Sequence, residues 1–166
     1  MNTFAKVNRI KIRFFCESTN IFLSDFLRKL FNGIFPDQVP DNVVCEHSDP
    51  VQSAVAGLPA QAQVLIMSFS HAEDLELVAA CLRRQRLQAD LGLIGLIGSR
   101  SKWATFRHRL EARGFAEPEL AQVTCPIGLP GITGKQPEVI AVAVAAQVLQ
   151  VLQALKTVDR PSIQDA

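Results

Sequence analysis

Gly92-Leu93-Ile94-Gly95-Leu96-Ile97-Gly98-Ser99-Arg100-Ser101-Lys102 is an apolar run that ends in glycine and opens directly onto serine and basic residues. The run from Leu91 to Ile97 has the unbroken apolar character of a strand buried on both faces. Ser99 or Ser101 is placed to cap a following helix. Trp103, Phe106 and Leu110 form the core stripe of that helix, and Gly114 is placed to end it. A second glycine loop lies downstream, Cys125-Pro126-Ile127-Gly128-Leu129-Pro130-Gly131-Ile132-Thr133-Gly134-Lys135, and Pro137 follows as the start of a final helix to about Lys156. Glycine-freed backbone at a helix start presents unpaired N–H groups where the helix dipole favours negative charge, so both loops are candidate anion cradles.

Working outward, Asn42 to Glu46 reads as a short strand. Asp49 and Pro50 read as N-cap and first-turn proline of a brief helix ending at Gly57, and Gln63 to Ser68 as the next strand. Ser70-His71-Ala72-Glu73 has the spacing of a capping box, opening a helix to about Arg86 with Leu75, Val78, Ala79 and Leu82 on one face. Pro118 starts a further short helical turn. Strands alternating with helices imply βαβ units, a mostly parallel sheet, and ligand sites beyond the carboxyl ends of the strands. The Gly98 loop and the His71 turn should both lie there.

The 166 residues are 48% hydrophobic with a net charge of +1, which fits one domain and no global attraction to nucleic acid or membrane. Local charge exists: from Gly98 to Phe115, Arg100, Lys102, Arg107, Arg109 and Arg113 stand against Glu111 alone. Arg107 to Arg113 read as a solvated helix face, whereas Arg100 and Lys102 oppose the dipole of their own helix unless an anion is present. Val139 to Leu155 is the most apolar segment, and Gln147, Gln150 and Gln153 interrupt it at helical spacing, as in a packed helix. No secretory leader pattern is present, and the expected compartment is cytoplasmic. Cys16, Cys45, Cys81 and Cys125 form no CxxC pair, against a zinc site or a disulfide scaffold.

The glycine spacing GxxGxxG from Gly92 is not the dinucleotide fingerprint GxGxxG. Gly128 to Lys135 is not a P-loop, because Leu129 and Gln136 stand where glycine and Ser/Thr are needed. The candidate cofactor-binding set is therefore Gly98, Ser99, Arg100, Lys102, His71, Cys125, Gly128, Gly131, Gly134 and Lys135. His71 suits acid–base or ligand contact at a strand-to-helix turn, though a first-turn histidine is more often solvated. Cys125 reads either as a sulfur carrier or ligand contact, with its thiol acidified by nearby positive charge, or as a small buried hydrophobe.

The Ser70-His71-Ala72-Glu73-Asp74-Leu75 segment, Gly92 to Phe106, His108-Arg109-Leu110, Gly114-Phe115, Cys125 to Lys135 and Pro137 to Ala143 together resemble the Rossmann-like domain of the xanthine dehydrogenase accessory proteins, the XdhC/CoxI family. The resemblance covers roughly Phe35 to Gln150. It implies a protein that binds the molybdenum cofactor (molybdopterin), holds it while a cysteine desulfurase supplies the sulfido ligand, and delivers it to xanthine dehydrogenase or a related molybdenum hydroxylase. Such a protein is a cofactor-binding chaperone rather than an enzyme of turnover. The other reading is an NAD(P)-binding Rossmann oxidoreductase, which the missing fingerprint disfavours.

The chain departs from the family before Phe35, where Phe4, Phe14, Phe15, Phe22, Phe26 and Phe31 crowd a segment with a single alanine and no GxGxxG. The expected organisation is an atypical segment 1–34, the Rossmann domain 35–158 and a flexible tail 159–166. The expected fold class is α/β, a mostly parallel sheet flanked by helices with its first βαβ unit altered or missing. A strand at Ile10 to Phe15 and a helix at Ile21 to Asn32 before Gly33 are expected in the foreign segment. The departure points to a truncated or frame-shifted member. Its exposed strand edge would need covering by the N-terminal segment or a partner, a homo-oligomer among them.

Overall fold

A computed structural model describes residues 12–15, 43–46, 48, 50–68 and 70–158. The elements in chain order are β1 (Ile12–Phe15), β2 (Val43–Glu46), a 3-10 helix (Val51–Gly57), β3 (Gln63–Ile66), α1 (His71–Gln88), β4 (Leu93–Leu96), α2 (Arg100–Glu111), α3 (Glu117–Leu120), β5 (Val123–Thr124) and α4 (Pro137–Val158). Every described strand pair is parallel. β1 pairs with β2 from Ile12 opposite Val43 to Phe15 opposite Glu46. β3, β4 and β5 form a second sheet in that order, with Gln63 opposite Leu93 and Ile94 opposite Val123. Parallel neighbours need crossovers, and α1 and the α2–α3 pair supply them between β3 and β4 and between β4 and β5.

Side chains alternate across a strand, and β4 uses both faces. Ile94 and Leu96 join one core cluster with Ile66, with Leu75, Val78, Ala79 and Leu82 of α1, and with Phe106 and Leu110 of α2. Removing each such leucine or phenylalanine from water stabilises the fold by about 1.5–3 kcal/mol. Leu93 and Gly95 face the other way. A Cβ on Gly95 would sit 2.5 Å from Ile127 Cδ1, so the missing side chain is what lets the second loop pack on the sheet. α4 covers this face through buried Ala141, Ala143 and Val144, and its Leu155 lies beside Gly92. By length and composition α4 is also long and apolar enough to cross a membrane, and it leaves Val142 and Leu149 exposed.

The far end of α1 is pinned by arginines. Arg84, 8% exposed, makes two bonds to Asp90, at 2.9 and 2.6 Å, and a third to Val55 O at 2.8 Å, tying the 3-10 helix to the α1–β4 turn. Arg86 grips Glu119 at 2.6 and 2.8 Å, donates to Gly114 O and lies over the Phe115 ring. Gly114 itself has φ +83, the conformation that terminates α2 where the sequence placed its stop.

Two expectations are corrected and one element is new. The segment after Pro50 is a 3-10 helix with Pro50 in the N-cap position, because only seven residues separate it from the extended Leu58. β5, which the sequence did not announce, is a two-residue strand too short to show any periodicity. Arg107 and Arg113 are not merely solvated, since Arg107 pairs with Glu117 and Glu111 and Arg113 with Glu76. Of the strand expected at Ile10 to Phe15, Ile12–Phe15 is present as β1, while the expected helix at Ile21 to Asn32 lies outside the described residues.

Candidate functional site

The carboxyl ends of β3, β4 and β5 lead into Met67 and Ser68, Ile97 to Ser99, and Cys125 onward, at one end of the sheet. Two helices begin there. Ser70 caps α1 by accepting from Glu73 N–H at 3.3 Å, and Ser99 caps α2 by accepting from Lys102 N–H at 3.1 Å. Their first turns carry opposite charge: α1 has Glu73 and Asp74, whereas α2 has no acid.

Those charges meet. Asp74 is fully buried, and its Oδ2 lies 2.5 Å from Lys102 Nζ, itself 11% exposed. Asp74 Oδ1 accepts from Ser68 N–H at 3.0 Å, and Lys102 Nζ also donates to Ile97 O at 2.9 Å. The ammonium sits 5.4 Å from the Phe106 ring centroid. A Cβ on Gly98 would come within 2.6 Å of the Lys102 stem, so glycine is what allows that stem to cross the loop. The anion that Lys102 requires at a helix start is therefore internal. Lys102, expected from the sequence to meet an outside anion, here joins the ends of β3 and β4 to α1 and α2.

His71, exposed at the head of α1, stands edge-on to Phe106 with ring centroids 6.2 Å apart. Arg100 is exposed at the head of α2 and makes no ion pair among the described residues. Cys125 is half-buried, its thiol directed at Ser99 O with Sγ 4.0 Å away. Burial pushes the Cys125 thiol up from its ordinary value, and the lowering by Lys102 is opposed by Asp74. The direction is opposite to the acidified thiol expected from the sequence, because burial outweighs the charge of Lys102. His71, Gly98, Ser99, Arg100, Lys102 and Cys125 lie together at this end of the sheet.

The second loop is only partly available. Gly128 N–H is taken by Gln147 Oε1 of α4 at 2.8 Å, so this glycine anchors the loop and does not offer its amide to a ligand. Gly128 has φ +117, and a Cβ there would lie 3.1 Å from Ala143. Gly131 opens onto free space, and Gly134 and Lys135 are exposed. No hydrogen bond or ion pair among the described residues joins Gly131, Gly134 or Lys135 to His71, Arg100 or Cys125.

Two participants escaped sequence reasoning, Asp74 and Gln147. A signal for Asp74 was present: it stands four and seven residues before Val78 and Cys81, on the inward face of α1, where an unpaired acid is untenable.

A parallel sheet with helix starts and glycine turns gathered at its carboxyl edge is a Rossmann-type arrangement, and comparison with known proteins agrees. The chain is 26% identical over 132 residues to the uncharacterized protein YqeB of Escherichia coli K12, matching 80% of this chain and 23% of that one. A solved protein from Bacillus halodurans, described as a xanthine dehydrogenase, superposes with a TM-score of 0.53 at 25% identity, over 70% of this chain and 31% of its own. The chain thus spans under a third of the length of either. Residues 29–148, which hold the β3–β4–β5 sheet and both glycine loops, match the XdhC Rossmann domain model, and the chain belongs to that family.

Proposed function

We propose that this domain belongs to an accessory protein of xanthine dehydrogenase or a related molybdenum hydroxylase, and that it binds the pterin of the molybdenum cofactor. The observation carrying this reading is the head of α2. Ser99 caps it, Arg100 is exposed without an ion-pair partner among the described residues, and no acid occupies its first turn, in a chain of the XdhC Rossmann family. Molybdopterin carries a phosphate, which suits first-turn amides and a guanidinium. Arg100 and the amides of Arg100 and Ser101 would hold that phosphate, with His71 and Cys125 along the same wall. The acidic head of α1 would keep the phosphate at α2.

When bound, the cofactor supplies the metal centre of the client hydroxylase. The domain's own part is to hold the pterin at the carboxyl edge of the sheet. Cys125, half-buried with its thiol directed at Ser99 O, would line the site, and sulfuration would rely on a cysteine desulfurase. Such an exchange belongs in the cytoplasm.

Protein purified from cells with and without molybdate tests the proposal by assay of bound pterin, molybdenum and nucleotide. Pterin retained in folded protein and lost in Arg100→Glu is the expected result. NAD(P) at one equivalent without pterin would overturn it in favour of a dinucleotide-dependent oxidoreductase.

A further inference from the structure

α4 reaches the head of α2 through the second loop, by a path of defined contacts. Gln147 of α4 accepts the Gly128 N–H at its Oε1, at 2.8 Å. One turn earlier on the same helix, Ala143 O accepts the Leu129 N–H at 2.9 Å. Two successive loop amides are therefore held by a single turn of α4. On the sheet side, Ile127 N–H donates to Leu96 O at 3.1 Å, and buried Ile127 places its Cδ1 over Gly95 of β4. Two residues before Ile127 stands Cys125, whose thiol meets the carbonyl of Ser99, the cap of α2.

These grips differ in kind. Ala143 O and Leu96 O are main-chain acceptors that any side chain leaves in place, whereas the Gly128 amide depends on one side chain. A half-buried N–H that loses its acceptor must regain one from water, because an unmet donor costs about as much as a lost hydrogen bond. Gly128 lies so close to α4 that a Cβ would stand 3.1 Å from Ala143, so water reaches its amide only if the loop lifts. Lifting Gly128 draws on Ile127 and, through it, on Cys125. We propose that Gln147 is a positioning residue: from α4 it fixes the second loop, and through the loop it sets how far the Cys125 thiol is withdrawn at the head of α2.

Three glutamines interrupt the apolar run of α4, and they are not equivalent. Gln150 and Gln153 are exposed, whereas Gln147 is half-buried and turned to the loop. A glutamine facing solvent on α4 is answered by water, but Gln147 answers a backbone donor of another segment. This role holds whatever ligand the site takes, since it concerns only the loop and its thiol.

Iodoacetamide labelling of the full chain, followed cysteine by cysteine through peptide mass mapping, tests the proposal, with buried Cys81 as the internal measure of general unfolding. Gln147→Leu removes the acceptor at similar size. It should raise the Cys125 labelling rate about tenfold, the opening that loss of one hydrogen bond permits, while Cys81 stays unlabelled. Gln147→Glu keeps an oxygen for the Gly128 N–H and should restore the wild-type rate. Gln150→Leu, on the exposed face, should leave that rate unchanged. A Cys125 rate unaltered in Gln147→Leu would overturn the proposal, as would equal acceleration in Gln147→Glu or Gln150→Leu. Labelling of Cys81 together with Cys125 in Gln147→Leu would overturn it too, because Gln147 would then support the whole fold and not the loop.

Discussion

Lys102→Met separates an internal ion pair from a ligand site. The substitution keeps the stem beside Gly98 and Phe106 but removes the charge that faces Asp74. Asp74 has 0% exposure, so its carboxylate would keep only the Ser68 N–H bond and would sit in low dielectric without a counter-charge. Removing one partner of a buried pair costs about 3–5 kcal/mol. With a urea m-value of about 2 kcal/mol/M, the unfolding midpoint should fall by about 1.5–2.5 M. Circular dichroism through a urea series at pH 7 measures this. Asp74→Asn combined with Lys102→Met removes both charges and keeps an oxygen for Ser68 N–H, so the double variant should recover most of the loss. That recovery appears as a coupling of at least about 2 kcal/mol in the double-mutant cycle. A single-variant cost under about 1 kcal/mol, or a double variant as unstable as the sum of the singles, would refute the internal-anion reading and return Lys102 to the ligand.

Glu119 is held down to about 2 by the Arg86 guanidinium and the Ala116 N–H, below its ordinary 4.5. A depressed carboxylate stabilises the fold above its unfolded value and ceases to do so as pH falls from about 4.5 towards 2. Thermal melts across that window should show an acid limb that Arg86→Met flattens, and an unchanged limb would count against the pair. Cys81 is pushed up to about 12 by burial, and Cys125 is raised as well. Iodoacetamide at pH 8 should leave Cys81 unmodified and label Cys125 more slowly than free cysteine, as peptide mass mapping would show; faster labelling would mean that Cys125 is a thiolate. Gly128→Ala forces a Cβ into φ +117 against Ala143 and should cost about 1–3 kcal/mol, read as a lowered melting temperature. An unaltered melt would mean that the loop is not held as described.

The parts of the fold that carry their own period were legible. α1 announces itself through Leu75, Val78, Ala79 and Leu82, all buried, and β4 through four consecutive buried residues. The Ser99 cap and the Gly114 stop were legible because each is a local hydrogen-bonding or backbone requirement. β5 was not, since Val123 and Thr124 have no room for alternation and become a strand only by pairing with Ile94 and Gly95. In the site, the strand ends located His71, Ser99 and Arg100 correctly. The pairing of Lys102 with Asp74 was not legible because the partner lies 28 residues away, a contact that no local pattern encodes. The bond from the Gly128 amide to Gln147 of the next helix was illegible for the same reason.

Trp103 stands one turn after Arg100 on α2 and is partly buried against the core, which makes it an intrinsic reporter of the proposed phosphate position. Titration of molybdopterin into the protein with Trp103 fluorescence as readout addresses the central claim most directly. A saturable change at one equivalent, weakened at least tenfold in Arg100→Glu, is expected. An isotherm unchanged by Arg100→Glu, or no saturable change from a folded protein, would contradict it.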